Sequence, residues 1–272
     1  MSASDLPLIY EKHDGVALLR INRPGARNAI SPEVACRLAD ALTDFGNDDA
    51  LRVAILTGTG DKAFCSGGDL ALTLPLMTGA RAPQDEWDTR LLDDPEIMSR
   101  SALRDFELNK PIIAAINGHC MAGGMETVLA TDIRIAAEHA TFALPEVRRG
   151  LIPFAGALVR LPRQVPYCLA MEMLLVGQPL TAEAAREAGL INRIVPQDAL
   201  MDTAWDLARK IAANGPIAVQ EVKKTVLSAS GRTLQEGYAL EDAAKARVMA
   251  SEDAREGPRA FMEKRPAVFR GK

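Results

Sequence analysis

The stretch KPIIAAINGHCMAGGMETVLATDIRIAAEHATFALPEVRRGLIP, residues 110–153, decides how this chain is read. Ile112 to Asn117 and Ile133 to Ala136 are apolar runs of strand length. Between them lies a glycine-rich turn, Asn117-Gly118-His119-Cys120-Met121-Ala122-Gly123-Gly124-Met125-Glu126. A glycine pair permits main-chain conformations closed to other residues and lets a ligand touch backbone N–H groups. Upstream the pattern recurs: Arg52 to Thr57 reads as a strand, followed by Lys62-Ala63-Phe64-Cys65-Ser66-Gly67-Gly68-Asp69-Leu70. Two such turns supply two N–H donors, the minimum for a pocket that holds a developing oxyanion. Val16 to Ile21 is a further strand, and Ser31-Pro32-Glu33 opens a helix after it, with Ser31 as N-cap and Pro32 at the first helical position. The order β, α, β predicts an α/β layer structure.

Residues 71–105 contain Pro75, Gly79, Pro83 and Pro95 and read as a long loop with helical pieces. From about residue 198 the strand signal stops. Ala199 to Ala213 reads as a helix ended near Gly215 and Ile217 to Ala229 as a second. Thr233 opens a third with Glu236 completing a capping box, and Ser251 caps a last one running toward Arg265. A chain of 272 residues exceeds the usual single core, so the expected division is an α/β body over 1–197 and a helical unit over 198–272.

The composition, 48% hydrophobic and 25% charged, excludes a mainly disordered chain, a collagen-like fibre or a disulfide scaffold. There are 44 alanines but only 12 aromatic residues, which suits close helix packing and tight turns around a ligand. With 32 basic and 36 acidic residues the net charge is −4, so no global field attracts nucleic acid or an anionic membrane. Residues 245–272 nevertheless hold eight Lys or Arg against four Asp or Glu, a local +4. Cys36, Cys65, Cys120 and Cys168 contain no CxxC pair and read as reduced thiols of a cytoplasmic protein. No apolar run approaches a membrane span, and Met1 to Leu8 lacks the pattern of a signal peptide.

Two familiar motifs fail on inspection. Gly58-Thr59-Gly60-Asp61-Lys62-Ala63 has the spacing of a dinucleotide fingerprint but runs into the turn at Phe64 to Gly68 instead of opening a helix. Ser66 has Phe64 where a nucleophile elbow needs Gly. His13, His119 and His139 have no metal-ligand spacing, and no metal is assigned. What remains is a pair of carboxylates. Glu126 falls in the first turn of a helix, where the helix dipole favours its ionised form. Glu146 sits in the apolar run Phe142-Ala143-Leu144-Pro145-Glu146-Val147, which favours its neutral form if buried. Opposite environments separate an acid from a base.

The chain resembles the crotonase, or enoyl-CoA hydratase/isomerase, superfamily. The resemblance runs through NRPGARNAIS at 22–31, RVAILTGTGDKAFCSGGDL at 52–70, the segment at 110–153, and SEDAREGPRAFMEKRPAVFRG at 251–271. It implies a spiral of β-β-α turns with a C-terminal helical oligomerisation domain that builds trimers, often stacked as hexamers. It also implies an acyl-CoA thioester as substrate and no permanently bound cofactor. By motif position the oxyanion donors fall on the N–H groups of Gly68 and Gly123, and the family's two glutamates fall on Glu126 and Glu146. Lys62, Ser66 and the stretch Gly68, Asp69, Leu70 and Ala71 are expected along CoA, with Lys264 toward its phosphates.

The presence of both glutamates favours an enoyl-CoA hydratase, adding water to a trans-2-enoyl-CoA. The alternatives of the same fold are a Δ3-Δ2 enoyl-CoA isomerase and a dehydratase of a hydroxyacyl-CoA such as carnitinyl-CoA. A non-catalytic acyl-CoA-binding protein is the alternative from another class. One segment departs from the family pattern: Pro153-Phe154-Ala155-Gly156-Ala157 stands where Pro-Gly-x-Gly-Gly is common. Phe154 and Ala157 are expected to narrow the space, or alter the backbone, beside the attacking water. Leu74, Leu76, Met77 and Trp87 are expected to cover the acyl pocket.

Overall fold

A computed structural model describes residues 5–272, so the start of the Met1 to Leu8 stretch lies outside the described residues. The chain begins with an antiparallel hairpin, β1 (Leu8–His13) and β2 (Val16–Ile21), followed by helix α1 (Pro32–Asn47). Ser31 caps α1 by accepting from the Val34 N–H at 3.3 Å, with Pro32 at the first helical position. Three β-β units follow: β3 (Val53–Gly58) with β4 (Ala63–Cys65), β5 (Ile112–Ile116) with β6 (His119–Met121), and β7 (Ile133–Ala137) with β8 (Thr141–Ala143). In each unit the first strand joins a large sheet and the second a small one. The large sheet has the order β1-β2-β3-β5-β7-β10 and the small one β4-β6-β8-β9, where β9 is Leu180–Thr181 and β10 is Arg193–Val195. Successive units stack in parallel, so the chain spirals.

The central strands β3 and β5 are buried along their whole length because the large sheet is covered on both faces. Alternate residues go to separate cores. Ala17, Leu19, Ala54, Leu56, Ala114 and Ile116 pack with the α1 side chains Val34, Leu38, Leu42 and Phe45. Val16, Leu18, Val53, Ile55, Ile113 and Ile135 pack with Leu200, Ala204 and Ala208 of helix α9 (Leu200–Ala212). The first helix after residue 198 therefore seals the outer face of the α/β sheet.

Three short helices, α2 (Thr73–Met77), α3 (Glu86–Asp93) and α4 (Glu96–Ser101), occupy the irregular stretch between β4 and β5. Helix α5 (Gly123–Val128) follows β6. Helices α6 (Ala157–Gln164), α7 (Tyr167–Val176) and α8 (Ala182–Glu187) lead to β10. The chain ends in α10 (Pro216–Ala229), α11 (Leu234–Ala250) and α12 (Asp253–Met262). The capping box at Thr233 and Glu236 forms, and Ser251 Oγ accepts from Ala254 N–H at 3.1 Å at the start of α12. Helix α10 buries no residue and α11 only Ala244, leaving Val222, Val226, Leu227 and Tyr238 exposed.

Candidate active site

The four short strands of the small sheet build the site. The glycine turns leave β4 and β6, which run parallel to one another, and not β3 and β5 directly. Two buried asparagines carry the chain from the large sheet to the small one. Asn28 donates to the carbonyls of Thr59 and Ala63, and Asn117 accepts from Gly58 N–H while donating to Gly60 and Ala63 carbonyls. Gly58 to Ala63 accordingly bends into a strand, not into a helix N-terminus.

The two turns meet tightly. A Cβ on Gly67, whose φ is +95°, would lie 2.6 Å from Ala122 Cβ and 3.1 Å from Gly123 N. Ala122 itself has φ +50°, held by its N–H donating to Ala143 carbonyl at 2.9 Å. The Gly68 and Gly123 N–H groups donate to no acceptor among the described residues, and both glycines line one cavity of about 600 Å³. Gly123 opens α5, where first-turn N–H groups have no intrahelical partner.

Both carboxylates line the same cavity. Glu126 is buried, and its Oε1 accepts from the N–H groups of Ala155 at 2.7 Å and Ala157 at 3.2 Å. Burial pushes its pKa up; the backbone donors and the Arg160 guanidinium oppose this without reversing it. Glu126 stands in the first turn of α5 as expected, and its desolvation opposes the ionised form that the helix dipole favours. Desolvation dominates, and the counterweight comes from the 154–157 segment. Glu146 lies in a 3₁₀ turn, Glu146–Arg149, with Oε2 buried and without a hydrogen-bond partner among the described residues. Burial, with the nearby Glu126 charge adding to it, pushes its carboxyl up to about 7.

Ser66 and Leu70 also line the cavity, whereas Lys62 lines a neighbouring polar hollow with Asp61, His119 and His139; Arg27 borders both. Asp69 and Ala71 are not on the cavity wall. The Asp69 carboxylate pairs with Arg23 at 2.9 Å and accepts from the Ala71 and Leu72 N–H groups, so it braces the turn. Lys264 is exposed at the end of α12 and lines neither space. Much of the basic tail is neutralised internally, Glu256 pairing with Arg259 and Arg265, and Glu221 with Arg247.

Leu74 and Met77 reach the cavity, joined by Met98, Ser101 and Ala102; Leu76 instead enters the core and Trp87 stacks beneath Arg37. Phe154 lines the cavity as expected, while Ala157 is wholly buried and contributes its N–H to Glu126. Sequence reasoning missed Arg27, Arg148 and Arg149 on the cavity wall and the N–H groups holding Glu126. The arginines had a signal, in that Arg148 and Arg149 directly follow Glu146-Val147. Backbone donors have none.

The chain from residue 11 to 272 matches the model of the enoyl-CoA hydratase/isomerase family. This protein belongs to that family. It is 37% identical to an enoyl-CoA hydratase of Mycobacterium tuberculosis over 97% of this chain and 96% of the relative. It is 36% identical to a carnitinyl-CoA dehydratase of Citrobacter koseri over 97% and 98%. The crystal structure of an enoyl-CoA hydratase from Bacillus anthracis superposes with a TM-score of 0.88 at 34% identity, covering 98% of this chain and all of the other. The spiral of β-β-α turns is therefore the family fold. Among the described residues no cluster of three or more His, Cys, Asp or Glu is placed to hold a metal, and no helix is long and apolar enough to cross a membrane.

Proposed function

We propose that this family member is an enoyl-CoA hydratase acting on a trans-2-enoyl-CoA. The observation that carries the reading is the convergence of Gly68, Gly123, Glu126 and Glu146 on one cavity. In the mechanism, the thioester carbonyl oxygen accepts from the Gly68 and Gly123 N–H groups. Glu126 takes a proton from water through Oε2, because Oε1 is already occupied by Ala155 and Ala157. The resulting hydroxide equivalent attacks the β-carbon, the π electrons move to the enolate held by the two N–H groups, and Glu146 delivers its proton to the α-carbon. Each oxyanion donor is worth roughly 2.7 to 4 kcal/mol in such sites. Lys62, Ser66 and Leu70 run along CoA with Asp69 and Ala71 bracing the turn. Lys264 serves the CoA phosphates in an assembled homotrimer or hexamer built on α10–α12.

Mixing the protein with crotonyl-CoA is expected to bleach the conjugated thioester absorbance and yield a product heavier by one water. A product of unchanged mass selects the isomerase, and binding without turnover across several chain lengths selects a non-catalytic acyl-CoA binder. A dehydratase of hydroxyacyl-CoA uses the same groups in reverse, and several relatives carry the name carnitinyl-CoA dehydratase. Arg27, Arg148 and Arg149 line the cavity without an ion pair among the described residues, an unfavourable setting for a quaternary ammonium. Carnitinyl-CoA is therefore expected to turn over more slowly than 3-hydroxybutyryl-CoA.

The acid and base set the pH dependence. Glu146 works protonated, so hydration kcat declines as pH rises through about 7. Glu126 works ionised, so kcat also declines as pH falls through its raised pKa. The expected pH–rate profile is a bell whose limbs belong to the coupled pair. A plateau persisting well into alkaline pH removes Glu146 as the acid.

A further inference from the structure

The hydrogen bonds that hold Glu126 come from a segment that is itself held from outside. Ala155 and Ala157 donate to Glu126, and Gly156 between them has φ +117°. Directly against this segment lies the Arg160 guanidinium, whose Nη1 would sit 2.8 Å from a Cβ on Gly156. Arg160 Nη1 donates to the carbonyls of Ala155 at 3.5 Å and Ala102 at 3.4 Å, and its Nη2 donates to the Leu103 carbonyl. Ala102, Ser101 and Met98 form one wall of the cavity. The chain there is strained: Leu103 and Asp105 have φ +53° and +51°, conformations that non-glycine residues keep only when their surroundings enforce them. Arg104 adds a second tie, donating to the Phe154 carbonyl at 2.6 Å.

We propose that Arg160 is a positioning residue that couples the 98–105 cavity wall to the 154–157 segment, so that Glu126 is held for proton transfer when that wall is seated. The proposal rests on the hydration reading for its kinetic consequence. The charged groups around this point are Glu126 on α5, Glu146 with Arg149 in the 3₁₀ turn, and Arg104 and Asp105 beside Arg160. Arg160 is the cation that favours ionised Glu126. Removing it raises the Glu126 pKa, and a base that works ionised then loses rate at higher pH than before. Without Arg160 only the Arg104 bond to the Phe154 carbonyl joins 98–105 to 154–157, and both segments loosen.

The test uses Arg160→Met and Arg160→Lys in the full chain, with crotonyl-CoA turnover and amide hydrogen exchange as readouts. In Arg160→Met, kcat is expected to fall roughly 10- to 100-fold, the scale of a misplaced catalytic group, with KM changed less than about threefold. The acidic limb of kcat moves to higher pH, and exchange accelerates in 98–105 and 154–157 together. Arg160→Lys returns the acidic limb toward the wild-type position because the charge is back, while exchange stays fast because one ammonium does not span the same carbonyls. A wild-type acidic limb in Arg160→Met, a loss confined to KM, or faster exchange in one segment alone overturns the proposal. If Arg160→Met does not fold, Arg160→Lys alone still decides, by whether exchange rises in both segments. If the wild-type protein hydrates no enoyl-CoA, the hydration reading falls, and the exchange measurement still decides whether Arg160 couples the two segments.

Discussion

Glu146→Gln is expected to lower hydration kcat by on the order of 10² to 10⁴, the usual weight of a positioned acid, with crotonyl-CoA still binding. Burial pushes the carboxyl up to about 7, its Oε2 has no hydrogen-bond partner among the described residues, and it shares the cavity with the oxyanion turns. Glutamine preserves size and polarity but has no proton to give the α-carbon. Glu126→Gln is expected to lose a similar amount by removing the base, and the double variant is expected to lose far less than the product of the two. The measurement is steady-state turnover of crotonyl-CoA, with affinity followed separately by ligand-induced stabilisation. Full activity in Glu146→Gln overturns its role.

Gly67→Ala is expected to damage both folding and chemistry. The new Cβ meets Ala122 Cβ at 2.6 Å in a backbone conformation, φ +95°, that L residues rarely adopt. Ala122 has little room to yield, because it is already at positive φ and pinned to Ala143 through its N–H. The strain is worth about 1–3 kcal/mol. Relieving it separates the two turns, so the Gly68 and Gly123 N–H groups no longer converge, and kcat falls by about 10² to 10³. Thermal unfolding and turnover of the same preparation check both parts. Gly68→Ala is the control for stability: a Cβ there meets nothing within 4 Å, so its melting temperature stays near wild type. Equal melting temperatures for Gly67→Ala and wild type contradict this account of the turn.

Much of this arrangement was legible beforehand, for identifiable reasons. Val16 to Ile21 appears as read because five of its six residues are apolar and buried, and a run of that kind and length has few alternatives. The Thr233 capping box and the Ser31 cap were legible because a cap depends on residues three positions apart and on nothing distant. The strands β4, β6 and β8 were not read. Each has three residues and is held by pairing with chain far away in sequence, so no local periodicity marks it. Helix α9 read as the start of the helical unit, yet its Leu200, Ala204 and Ala208 face closes the body's sheet. An amphipathic pattern says that a helix has a buried face without saying what lies against it.

The sequence by itself determined the strand-turn alternation, the two glycine turns, the two glutamates and the family they belong to, because these are carried by residue identity and short-range spacing. The tertiary structure alone decided that the two turns meet closely, that Glu126 is held by Ala155 and Ala157, and that Lys264 of the same chain does not line the cavity. It also set desolvation of Glu126 against its dipole-favoured position in the first turn of α5. The physical reason is the same in each case. Desolvation and backbone hydrogen bonds depend on which segments are brought together across the fold, and a donor N–H is chemically identical in every residue except proline.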